Sequence, residues 1–75
     1  MTLISRTSPR NPLGSPQIAL VGDDLYSVMT DTDTLGFVHK VGNVFVALSG
    51  RDLARAVEIG QTLEWDRAIQ LIRRA

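Results

Sequence analysis

Few side chains in this 75-residue chain have the chemistry of a catalyst. It contains a single histidine, His39, and no cysteine. Serines are plentiful, yet none sits in the Gly-x-Ser-x-Gly elbow that presents a nucleophile. A transition-metal site would need further ligands of the right kind, and His39 has no second His and no Cys to join it. Glycines stand at positions 14, 22, 36, 42, 50 and 60 and form neither Gly-x-Gly-x-x-Gly nor a Walker loop, so no phosphate cradle is encoded. So short a chain also has little room for a concave substrate pocket of several hundred Å³. The expectation is a non-enzymatic protein with no metal, no cofactor and no small-molecule substrate.

Asp31-Thr32-Asp33 followed by Gly36 matches the opening of an EF-hand calcium loop. The later ligand positions fall on Leu35 and Gly42, which offer no side-chain oxygen. A turn explains the same residues, because Asp and Thr side chains bond their own backbone.

Binding chemistry is better represented than catalysis. Lys+Arg and Asp+Glu number 8 each, which excludes a general electrostatic grip on nucleic acid. The charges are nonetheless segregated. Arg6 and Arg10 precede any acid, four Asp fall within residues 23–34, and Arg67, Arg73 and Arg74 close the chain. Lys40 stands close to Phe45 if the chain turns between them, with Arg51 just beyond. An aromatic ring beside basic groups is a surface that a base or a phosphate could meet.

The elements that must position these groups follow from Leu35 to Leu48. Two β-branched and aromatic runs flank Gly42-Asn43, and Gly at the first position of a two-residue loop marks a type II′ hairpin. That turn sets Val41 against Val44, Lys40 against Phe45, His39 against Val46, Val38 against Ala47 and Phe37 against Leu48. Upstream, Leu25–Thr30 reads as a strand, Ile18–Val21 as a possible first strand, and residues 31–34 as a turn. Residues 52–60 fit either a short helix capped by Asp52 or a strand with Val57, Ile59, Gln61 and Leu63 on one side. The spacing of Val57 and Ile59 favours the strand. Trp65, Ala68, Ile69 and Ile72 recur at helical spacing, with Asp66 in the first turn and Arg73 and Arg74 in the last, which suits the helix dipole. Pro9, Pro12 and Pro16 make residues 1–17 an extended or disordered tail.

A meander followed by a helix resembles the arm-type DNA-binding domain of phage-type tyrosine recombinases, in which the sheet enters the major groove. The likeness rests on topology over residues 25–75, on Leu35-Gly-Phe-Val-His-Lys-Val41 and on Trp65-Asp-Arg-Ala68. It implies DNA contact through the sheet. Residues 50–60 are additional to that pattern, and Lys40 is the one basic residue on the strands where such domains carry several.

The expected fold is α+β: an antiparallel meander of three to four strands packed against a C-terminal helix, one domain over residues 18–75. Its core is expected from Tyr26, Val28, Phe37, Val41, Val44, Val46, Leu48, Trp65, Ile69 and Ile72. His39 is expected at the edge of that core, near Tyr26. Leu25, Met29, Val38 and Phe45 then remain on a second face, and exposed apolar patches mark interfaces. The leading expectation is an interaction module that binds a protein partner or itself through Val38, Lys40, Phe45 and Arg51. The alternative is nucleic-acid or ribosome association through Arg6, Arg10, Lys40, Arg51 and Arg55. With no apolar run long enough for a membrane span and no signal-peptide pattern at the start, the expected setting is cytoplasmic, with no membrane partner.

Overall fold

The computed structural model describes residues 16–75. The fold is α+β, with five antiparallel strands in a meander and one helix. The strands are β1 (Gln17–Gly22), β2 (Leu25–Met29), β3 (Thr34–Val41), β4 (Val44–Ser49) and β5 (Val57–Thr62), each bonded to its neighbour in the chain. A single 3₁₀ turn, Leu53–Arg55, precedes β5, and α1 spans Trp65–Arg74. The count exceeds the three to four strands expected because both uncertain segments are strands. Gln17, assigned to the leading tail by its neighbouring prolines, opens β1. The expected tail otherwise lies outside the described residues, apart from Pro16, which is in no helix or strand.

Local chemistry accounts for each turn. Gly42 has φ 61 and Asn43 is not among the positive-φ residues, which is the φ pattern of a type II′ turn. All five cross-strand pairs expected of that hairpin are present. Between β2 and β3 the Thr30 hydroxyl accepts from the Thr32 and Asp33 amides at 3.3 and 3.0 Å. The Thr30 amide donates to the Asp33 carbonyl at 2.7 Å. Residues 52–60 divide between both readings. Asp52 stands at the start of the 3₁₀ turn without a side-chain capping bond, and nothing in that turn is buried. The strand then begins at Val57.

The helix covers the face opposite to the one expected. Val28, Val38, Ala47, Ala68, Ile69 and Ile72 form the buried cluster, with Tyr26, Leu35, Phe45, Trp65 and Leu71 packed against it. Six of the ten expected core residues are in place: Tyr26, Val28, Trp65, Ile69 and Ile72 in or against this cluster, and Phe37. Phe37 is buried but lies outside this cluster, and Val41 is exposed. The pairing of β2 with β3 accounts for the difference. Tyr26 pairs with Val38, and Val28 with Gly36, so the Tyr26–Val28 side of β2 shares a face with Val38, not with Phe37.

Steric bulk explains the choice of face. Beneath α1 lie Gly36, Ala47 and Gly60, the last two paired across β4 and β5. A Cβ on Gly36 would collide with the Leu48 carbonyl oxygen and come within 2.9 Å of Ile72 Cγ2. One on Gly60 would come within 2.9 Å of Leu71 Cδ1. The reverse face carries Phe37, Val46 and Leu48 and would hold a helix further off. Isolated glycines inside strands signal such close approach.

Candidate interaction surface

The residues expected to form one binding surface do not come together. Val38 is 0% exposed, and Phe45 is half-buried, edge-on to Trp65 at 5.5 Å between ring centroids. Tyr26 meets the other side of the picture, 5.0 Å from the same indole at 79°. Trp65 thus bridges β2 and β4 over Val38. Lys40 is exposed beside the hairpin turn, whereas Arg51 lies past the other end of β4, roughly 20 Å along the strand direction. Arg51 Nη2 pairs with Asp33 Oδ1 at 3.0 Å, both groups being largely exposed. With Val38 and Phe45 beneath the helix, the surface read from sequence is core, and its supposed rim is split between two ends of the sheet.

Arg6 and Arg10 lie outside the described residues, and Arg55 is exposed in the 3₁₀ turn. Asp31 and Asp33, tested above as calcium ligands, are engaged by Gln17 Nε2 at 2.9 Å and by Arg51. Among the described residues no group of three or more His, Cys, Asp or Glu could hold a metal ion. His39 pairs with Val46 as expected, but its other neighbour is Leu25 rather than Tyr26, and it is exposed.

Among the described residues, no element packs on the reverse face of the sheet. Strand alternation places Leu25, Met29, Phe37, His39, Val44, Val46 and Leu48 there. Phe37, on the central strand, is 8% exposed between Ser27 and Leu48, while Leu25, Met29, Val44, Val46 and Leu48 are half-buried. Register also brings Glu58 opposite Leu48 and Gln61 opposite Val46. No Lys or Arg of the five strands falls on this face, because Lys40 pairs with Phe45 on the helix side. Its polar members include the exposed His39, Glu58 and Gln61.

A second feature borders the helix. The α1 helix rests on β3, β4 and β5, and no described element lies over the β1 side of the same face. A groove of about 350 Å³ runs there, with Ile18, Trp65 and Ile69 as its apolar lining and Asp66, Gln70 and Arg73 along the helical flank. Pro16 stands at one end, where the chain enters β1.

Comparison with protein-family models, curated proteins and solved structures finds no match. The likeness to arm-type DNA-binding domains is further limited by architecture. The sheet has five strands, and the face that bears Lys40 is the one the helix occupies. No helix among the described residues is long and apolar enough to cross a membrane.

Proposed function

We propose that the domain is a non-enzymatic interaction module that binds an apolar protein surface through the reverse face of its sheet. The observation that carries this reading is the pairing of composition with coverage. Leu25, Met29, Val44, Val46 and Leu48 surround Phe37 on a face that no described element covers. Burying such side chains against a partner is favourable at about 25 cal/mol per Å² of apolar area, before the costs of association. The absence of Lys and Arg from the strands on that face favours a protein over a nucleic acid.

The test is capture from a native lysate, with and without nuclease, using the full chain and two variants. Leu48→Lys places a charge in the middle of the proposed surface, and Lys40→Glu reverses the charge on the other side. Partner capture that survives nuclease, is lost in Leu48→Lys and persists in Lys40→Glu is the expected result. Capture abolished by nuclease or by Lys40→Glu, and weakened steeply by salt, would establish the nucleic-acid alternative instead.

A further inference from the structure

The groove beside α1 has a direction. Trp65 packs on Tyr26, which pairs with Leu20 near the end of β1. Ile72 packs at Gly36, whose partner Val28 pairs with Ile18 near the start of β1. Helix and strand therefore run in opposite senses along the two sides. Pro16 stands at the Arg73 end, and Asp66 lies seven residues back along the helix, about 10 Å away. Ile18, Trp65 and Ile69 supply the apolar surface between them. The chain that precedes Pro16 thus arrives at one mouth of the groove.

We infer that this groove is the docking site for residues 9–13 of the same chain. Those residues lie outside the described ones; sequence, reach and charge carry the assignment. Pro9-Arg10-Asn11-Pro12 has the P-x-x-P spacing of segments that dock as a polyproline helix in aromatic-lined grooves. Trp65 is the aromatic wall here. Gly14, Ser15 and Pro16 are residue types that reverse a chain, as the segment must to run back beside β1. From Leu13 to Arg10 a polyproline helix spans about 9 Å, which matches the length of the groove.

Charge agrees with that direction. Arg6 and Arg10 are the only charged side chains in residues 1–15. With the reversal at Gly14–Pro16, Leu13 covers Ile18 and Ile69 and brings no charge to Arg73, while Arg10 reaches Asp66. Tethering favours this occupant over a free ligand of the same chemistry. A segment joined to its site by a short linker acts at an effective concentration on the order of millimolar. The groove is separate from the reverse face, so the two readings stand or fall independently.

Trp65 is the only tryptophan of the chain, so its fluorescence reports on the groove. The test is acrylamide quenching of the full chain and of Leu13→Asp, Arg10→Glu, Leu3→Asp and the charge swap Arg10→Glu with Asp66→Arg. Quenching is expected to rise in Leu13→Asp and Arg10→Glu, with unchanged circular dichroism, and to stay at the wild-type level in Leu3→Asp. The charge swap should restore the shielding lost in Arg10→Glu, and none of these values should depend on protein concentration. Quenching unchanged by Leu13→Asp overturns the inference, as does an equal rise in Leu3→Asp or a charge swap as exposed as Arg10→Glu. Shielding that grows with protein concentration also overturns it, because the occupant is then a second copy.

Discussion

Trp65 stands edge-on to Phe45, with ring centroids 5.5 Å apart and planes at 76°. The contact ties the first residue of α1 to the second residue of β4, and so joins the helix to the hairpin just beyond its turn. It lies on the face that the helix covers, since Phe45 shares its side of the sheet with Val38 and Ala47. Edge-to-face geometry is favourable because the positive rim of one ring meets the negative face of the other.

Truncating either ring should therefore cost stability in a coupled way. Phe45→Ala and Trp65→Ala are each expected to lower the unfolding free energy by about 2–4 kcal/mol, somewhat less than for fully buried rings. The double variant should lose less than the sum, by about 0.5–1.5 kcal/mol. Urea denaturation of all four proteins measures this. Strict additivity would mean that the rings are neighbours without a direct interaction.

The two glycines beneath the helix should respond unequally to the same substitution. At Gly36 the added methyl meets backbone, the Leu48 carbonyl oxygen, as well as Ile72, and backbone in mid-sheet has no room to retreat. At Gly60 its closest contact is the end of the flexible Leu71 side chain. Gly36→Ala is expected to cost upwards of about 3 kcal/mol, and Gly60→Ala under about 1 kcal/mol. Thermal unfolding midpoints would order the pair, and equal shifts would argue against the close packing described.

A hydroxyl placed on each face reports which side is dry. Val38→Thr puts an oxygen in a site with no exposure, where an unmet hydrogen bond costs about 1–3 kcal/mol. Val46→Thr, on the half-buried reverse face, should cost under about 1 kcal/mol because water can reach the new group. Chemical denaturation of the two variants checks the difference. A Val46→Thr penalty as large as that at Val38 would mean that the reverse face is itself sealed within the chain.

Much of the hairpin and helix was legible in the sequence, for local reasons. Gly42-Asn43 sets the register of β3 and β4 through turn geometry alone, and the Trp65–Ile72 stripe identifies the apolar side of α1 through helical spacing. What those local signals do not encode is which of two apolar faces the stripe meets. That choice depended on Gly36 and Gly60, far apart in the chain, lying under one helix. Reading the strand glycines as contact points would have revealed it. The helix makes Val38 and Phe45 part of the packed side, and Phe37, Val46 and Leu48 lie on the side that no described element covers. Lys40 and Arg51 both border β4 in the hairpin register, but at its opposite ends.

The order of strands also bears on how rapidly the chain finds its fold. Every strand is bonded to its predecessor in the chain, so no pairing waits for a distant segment to return. Closing a short loop costs little entropy, and hairpins of this kind form in about 1–10 microseconds. The β3–β4 hairpin, with its preset turn, is the natural nucleus. Strands can then be added on either side, one at a time. The helix has the longer journey, since Trp65 must reach Tyr26, 39 residues earlier in the chain. Docking of α1 is therefore the step that closes the longest loop among these contacts, and so carries the largest loop-closure entropy.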